Sequence, residues 1–396
     1  MLRSFVIIFI LLAIWGCNTT PKHKLSNEYY ALFNAIENHD STQIEIIWDQ
    51  IKNGHQPFIW NDSVAFIYRG NVKSVEWNGD FNRWGRDTSF NNQGERIAES
   101  DFWVLTAKFP SDARLDYKLV VDENWIIDPY NPNIQMTGAG GIQPNSELRM
   151  PGSIQSKWIL DSAKEKGSLS EWTTLESSIL DYSIQYKVYT PYGYNEDQSY
   201  ETIYFLDGME YTHPELGASI QILNNLIEQD KINPVIAVFI DTQDPNDPEV
   251  NRRMSQLALN NEYVDFISKE LIPTIDASFS TQPIKKSRAI AGVSLGGLTA
   301  TYAAAMSQSF GKVLIQSAAY WYKPEIYDIV KNDNEKPNKV SISTGTFYDS
   351  KDESLKMREM YNLNQDSIQY IQINEGHSWG NFKSVLADQL IYLLGK

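Results

Sequence analysis

Cysteine is nearly absent from this chain of 396 residues. Cys17 is the single one, so no disulfide can form within the molecule. Histidine is scarce too, with 5 residues, at positions 23, 39, 55, 213 and 377. There is no His-x-x-His pair, no cysteine pair and no carboxylate set at ligand spacing, so neither a metal nor another cofactor is expected. Basic residues are outnumbered: 34 Lys and Arg against 50 Asp and Glu give a formal net charge of −16. That argues against nucleic acid as a partner, because phosphate binding needs a basic surface. It also disfavours a strongly anionic substrate, unless a local basic pocket overrides the global field. No internal repeat or low-complexity tract is visible.

The N-terminus reads as an export signal. Arg3 supplies the positive region, and the apolar run from Phe5 to Ile14 is too short to cross a bilayer comfortably. The run ends at Ile14-Trp15-Gly16-Cys17, which resembles a bacterial lipoprotein box. Residues 1–17 are therefore expected to be a signal peptide, with Cys17 lipidated. The rest is expected outside the cytoplasm, tethered to a membrane on its periplasmic or cell-surface face. An uncleaved anchor is the alternative. Residues 18–56 read as a polar linker followed by two short helices, with a break at Asn38-His39-Asp40-Ser41.

Residues 57–152 change texture. Short β-rich runs, Ser63 to Tyr68, Val72 to Trp77, Phe102 to Thr106 and Arg114 to Val121, are separated by Gly, Asn and Pro turns. A β-sandwich of immunoglobulin-like size is the expectation. Trp77, Trp84 and Trp125 are candidates for stacking on sugar rings, or else for filling the core.

From 153 to 396, strands alternate with helices. Thr202 to Leu206, Pro234 to Asp241, Lys312 to Ser317, Lys339 to Thr344 and Ser367 to Ile373 read as buried strands, and Tyr263 to Phe279 as one amphipathic helix. The pattern predicts an α/β fold with a doubly wound, mostly parallel sheet. Within it, Gly292-Val293-Ser294-Leu295-Gly296 follows a short buried strand and precedes a run of helix formers. That is the strand–turn–helix context of an α/β-hydrolase nucleophile, so Ser294 is the candidate. Only His377 follows it in the chain, in Gly376-His377-Ser378, and is the candidate base. The acid belongs just past the strand ending at Thr344. Asp349 is the choice, with Asp352 and Glu353 as alternatives. The oxyanion hole is expected from the backbone N–H of Leu295 and of Gly208 or Met209. Tyr320, Trp321 and Trp379 are expected to line an aromatic pocket.

Several of these pieces together resemble the enterochelin esterase and esterase-D-like family of serine esterases. They are Phe205-Leu206-Asp207-Gly208, Arg253 with Leu257, Glu270-Leu271-Ile272-Pro273, Ala291 to Leu298, Gln316 to Trp321, and Gly376 to Gly380. Trp77 to Trp84, with Asp128-Pro129-Tyr130-Asn131-Pro132, resembles the glycogen-binding-type modules that accompany many carbohydrate enzymes. The resemblance implies Ser294 and His377 as nucleophile and base, and adds Arg253 as a substrate-binding candidate. Gln256 stands where many members have Glu, which leaves Arg253 less firmly paired. Two substrate classes follow: a siderophore trilactone or related small ester, or feruloyl and acetyl groups on plant polysaccharide. A non-catalytic glycan-binding lipoprotein is the alternative outside enzymes.

Overall fold

The structure is a computed structural model and describes residues 27–52, 57–138, 141–247 and 249–396. The expected signal segment, Cys17 and the linker up to residue 25 lie outside the described residues.

Two helices, Asn27–Glu37 and Ser41–Ile51, open the described chain. Asp40 caps the second, its side chain accepting from the Gln43 amide at 3.0 Å. Their apolar faces, Leu32, Ile36, Trp48 and Ile51, pack on Ala65, Ile67 and Phe102. Those three residues lie on the outer face of an antiparallel sheet, ordered Phe58–Trp60, Ser63–Arg69, Phe102–Lys108 and Glu95–Arg96. A second antiparallel sheet runs Val75–Gly79, Arg114–Val121, Gln143–Arg149, Ile134–Thr137, with Asn124–Ile126 paired to Arg114–Val121. Side chains alternate across each strand. Val64 and Phe66 from the first sheet meet Trp77, Leu115, Tyr117 and Leu119 from the second in one core. Trp77 is buried there and cannot stack on a ligand.

The rest of the chain builds a nine-stranded sheet. Its main path is Ser168–Leu169, Tyr182–Thr190, Val235–Ile240, Glu201–Leu206, Arg288–Val293, Lys312–Gln316, Lys339–Gly345, Ile368–Ile373. The strands from Val235–Ile240 onward are parallel, and the first two are antiparallel additions, as is Thr173–Ser177. Ile203 and Phe205 face the helices Ser219–Glu228 and Trp379–Leu394 on one side. Tyr204 and Leu206 face Leu298, Tyr263 and Ile275 on the other. A sheet apolar on both faces and covered on both is why the parallel strands read as continuous hydrophobic runs.

The helix expected over Tyr263–Phe279 is interrupted. A π-helical turn, Ile267–Leu271, joins Asn261–Phe266 to Ile272–Ser278. Pro273 donates no hydrogen bond and crowds the carbonyl four residues back, which the wider turn accommodates.

Candidate active site

Ser294 sits between the strand Arg288–Val293 and the helix Leu295–Ser307. Its backbone is at φ 57°, ψ −116°, a conformation unfavourable for a residue with a side chain. Three bonds impose it: the Ser294 amide donates to Gln316 O at 2.9 Å, and its carbonyl accepts from Leu298 and Ala319 at 3.1 and 2.9 Å. Gly292 completes the turn, because a Cβ there would lie 2.2 Å from the Gly296 backbone. Leu295 opens the helix. The Asp207–Gly208 segment lies alongside, with Asp207 Oδ2 3.0 Å from where a Gly296 Cβ would be. Asp207 is left-handed, at φ 59°, and Gly208 opens the short helix Gly208–Thr212, which includes Met209.

His377 follows the last strand. Its Nδ1 lies 2.7 Å from Asp349 Oδ1, and its ring meets Phe382 edge-on. Asp349 is buried, and its other oxygen accepts from Ser317 Oγ at 2.5 Å and the Gly345 amide at 2.6 Å. Burial alone would raise its pKa, but His377 and these donors outweigh burial and hold the carboxyl below its usual value. Asp352 and Glu353 lie in the first turn of the helix Lys351–Tyr361 instead.

The histidine loop is held from the other unit. Arg114, buried, donates to Glu375 Oε2 at 2.6 Å, to Ser378 Oγ at 2.7 Å and to Asp116 Oδ1 at 3.0 Å. Its amide donates to Asn374 O at 3.1 Å. Burial opposes its charge, but Glu375, Asp116 and Glu147 prevail and raise its pKa well above the ordinary value. Two glycines make the fit possible. A Cβ on Gly376 would lie 2.1 Å from the Asp80 carboxyl carbon, and one on Gly380 1.8 Å from Arg114 Nη2.

Ser294 and His377 open onto one cavity of about 470 Å³ between the two units. Asp80, Trp84, Asp116, Met136 and Asn145 come from the N-terminal side, and Asp207, Glu210, Arg253 and Trp379 from the other. Its carboxylates are less charged than their number suggests. Burial, then the nearby Asp116, drives the Asp80 pKa well up. Burial, then Asp207, raises Glu210 to about 8. Asp207 itself is paired, with Arg253 Nε and Nη2 at 2.6 and 2.8 Å. Arg253 is thus firmly held by Asp207, whatever stands at position 256. The buried Gln256 turns to Tyr182 instead.

Trp379 and Arg253 line the cavity. Tyr320 does not: it is buried, its hydroxyl 2.8 Å from Thr301 Oγ1. Trp321 is 69% exposed and lies outside the cavity, against Tyr322. Both stand on the segment after Ser317, which carries Tyr320 into the core and Trp321 out to the surface. Sequence reasoning missed Asp80, Arg114, Asp116, Glu210 and Glu375. A signal existed for Arg114 and Asp116: they alternate with Leu115 and Tyr117, so they share the strand face that turns away from the N-terminal core.

A strained serine and a histidine on a buried carboxylate open on one cavity, and the family model that matches this chain makes it a carboxylic-ester hydrolase. The chain belongs to the Esterase family, whose model matches residues 177–393. That overrides the non-catalytic alternative. Over 314 residues the chain is 26% identical to the iron(III) enterobactin esterase of Escherichia coli O6:H1, covering 69% of this chain and 75% of that one. Over 214 residues it is 28% identical to an endo-1,4-beta-xylanase/feruloyl esterase of Xylanibacter ruminicola, covering 51% of this chain but only 28% of that one. The enterobactin esterase of Shigella flexneri, solved in the presence of enterobactin, superposes with a TM-score of 0.70 at 20% identity, over 88% of this chain and 97% of that one. The ferric enterobactin esterase of Salmonella typhimurium gives 0.70 at 20% identity, over 88% and 98%. These two structures share the fold.

Proposed function

We propose that this chain is a serine esterase of the α/β-hydrolase type, preceded by an immunoglobulin-like sandwich, and that Ser294, His377 and Asp349 form its triad. One observation carries the reading: the 2.7 Å contact between His377 Nδ1 and buried Asp349, beside a serine at a strained turn opening on the same cavity. With Nδ1–H donating to Asp349, Nε2 is free to take the Ser294 proton as Oγ attacks the ester carbonyl carbon. The N–H groups of Leu295 and of Gly208 or Met209 hold the resulting oxyanion. Its collapse breaks the C–O bond, and the imidazolium returns its proton to the leaving alkoxide. A water then loses a proton to His377, attacks the acyl carbon and releases the acid with free Ser294. Turnover of a nitrophenyl acyl ester by wild type and Ser294→Ala tests this; equal rates would sink it.

For the substrate we propose a siderophore lactone or related small ester. The match to the E. coli enterobactin esterase supports it, since it takes in 75% of that enzyme. Feruloyl or acetyl esters of polysaccharide are the second reading, favoured by two indoles, Trp84 and Trp379, on the cavity wall. Rates on iron-loaded and iron-free enterobactin, against methyl ferulate and feruloylated xylan, separate the two. Export and tethering through Cys17 are proposed from sequence alone. Loss of palmitate labelling in Cys17→Ser is the expected result, and retained labelling contradicts it.

A further inference from the structure

The cavity wall carries a second recess, which Ser294 does not line. Asp80, Trp84 and His377 line the catalytic cavity on one side and, on the other, a cleft of about 260 Å³. Arg83, Arg86, Phe347 and Tyr348 complete the cleft. Drug-sized ligands fill roughly 300–1,000 Å³, so this one suits a single substituted ring.

Its backbone is costly. Arg83, Trp84 and Gly85 are consecutive residues at φ 51°, 58° and 81°, two of them with side chains. Asn82 enforces the turn: its Oδ1 accepts from the Gly79 and Gly85 amides at 2.9 and 3.1 Å, and its Nδ2 donates to Trp77 O at 3.0 Å. Strain of this kind concentrates where a structure must aim particular side chains. The side chains aimed here are Arg83, Trp84 and, just beyond, Arg86.

The charge of the cleft runs against the molecule's net charge of −16. Arg83 and Arg86 are exposed and have no ion-pair partner among the described residues. Arg83 lies 5.7 Å from the centre of the Tyr348 ring. A carboxylate off the wall, Asp87, accepts a short hydrogen bond from the Tyr348 hydroxyl and offsets part of the positive charge of Arg83. Trp84 Nε1 donates to Asp80 at 3.2 Å, which fixes the indole at the boundary between cleft and cavity. Two free guanidiniums beside two aromatic rings bind a flat anion: the guanidiniums hold its charge and the rings its face.

We propose that this cleft is a substrate subsite for an anionic aromatic ring, carried on one side of the scissile ester while the ester itself lies at Ser294. The proposal rests on the esterase reading above and adds the chemical class of one half of the substrate.

The test uses matched esters. 4-Nitrophenyl benzoate is neutral; the mono-4-nitrophenyl ester of isophthalate puts a carboxylate on the acyl ring, and 3-carboxy-4-nitrophenyl benzoate puts it on the leaving ring. Arg83→Asn, which tolerates the left-handed backbone, is combined with Arg86→Gln. In the double variant the ratio of kcat/KM on one carboxylated ester to that on the benzoate should fall about tenfold or more, the worth of a charge-assisted hydrogen bond. The carboxylated ester that responds assigns the side. Proportional losses on all three esters, or none, overturn the subsite. Calorimetric titration of Ser294→Ala with isophthalate reads the cleft without turnover: binding should weaken about tenfold when both arginines are removed, and unchanged binding overturns the proposal. Wild type that hydrolyses no ester, yet binds isophthalate through these arginines, would end the esterase reading and leave the subsite standing.

Discussion

The backbone of Ser294 is bonded to Leu298, Gln316 and Ala319, and its flanking Gly292 touches Gly296. All of these belong to the helix, the strand and the turn that follow it directly. The loop of His377 rests instead on Asp80 and Arg114, from a sheet near the other end of the chain. So one half of the site is made by neighbours in sequence, while the other, besides Asp349, needs a second folding unit. The N-terminal unit is therefore a wall and a brace of the active site. Any role it has in binding a glycan would be additional to that.

The sharpest break of this contrast removes the local half. Ser294→Ala should lower kcat by about 10⁴–10⁶-fold. Thermal stability should stay within about 1 kcal/mol of wild type, because the elbow's own hydrogen bonds are to backbone. Calorimetry beside nitrophenyl ester kinetics checks both. A large loss of stability would mean that the serine side chain, and not the backbone, holds the turn.

The distant half should fail differently. Arg114→Ala leaves Asp116, Glu147 and Glu375 buried around an empty place, at a cost of about 3–5 kcal/mol in stability. Activity should drop about 10²-fold through misplacement of His377, while Ser294 itself stays intact. Arg114→Lys keeps the charge without the fork and should recover only part of each loss. Arg114 is a positioning residue, so the pH profile of kcat/KM should change shape in the variants. A uniform loss at every pH, in step with the folded fraction, would reduce its role to stability.

The same contrast decides what could be read in advance. The sheet was readable because Ile203 and Phe205 alternate with Tyr204 and Leu206, and both sets are apolar. Ser294 was readable because the turn's demands fall on adjacent residues. The place of the acid follows from the end of the strand Lys339–Gly345, which left Asp349, Asp352 and Glu353 open, and His377 is the one histidine after Ser294 in the sequence. Arg114 and Asp116 look like the solvent face of a half-buried strand, and nothing local says that another unit covers that face. Tyr320 and Trp321 show the converse limit. Both look like pocket aromatics, but the turn after Ser317, itself at φ 45°, sends one inward and the other out.

A gentler probe of the shared wall is proton uptake by Glu210. Its folded pKa of about 8 lies above its ordinary value of 4.5, so the folded state holds the extra proton between those limits. Stability from this group is complete below about pH 4.5 and falls as pH rises toward 8. Glu210→Gln keeps a neutral side chain at every pH. It should match wild type near pH 4 and exceed it above pH 8 by on the order of 1–2 kcal/mol, discounted for its partial exposure. Urea unfolding across that range measures it. A constant difference between the two proteins would place the Glu210 carboxylate in water at all pH values and open the cavity wall wider than the structure has it.

The smallest effects are expected at the two aromatics outside the cavity. Tyr320→Phe removes one buried hydrogen bond, to Thr301, and should cost about 1 kcal/mol of stability with activity within about twofold. The tyrosine ring remains in the core, so its packing is unchanged. Trp321→Ala removes a ring that is mostly in water, and should alter stability by less than about 0.5 kcal/mol. On a nitrophenyl ester its rate should match wild type. A loss confined to a bulky natural ester would show that the substrate reaches past the cavity rim to Trp321. The catalytic wall would then extend beyond the joint between the two units, onto the surface of the hydrolytic unit alone.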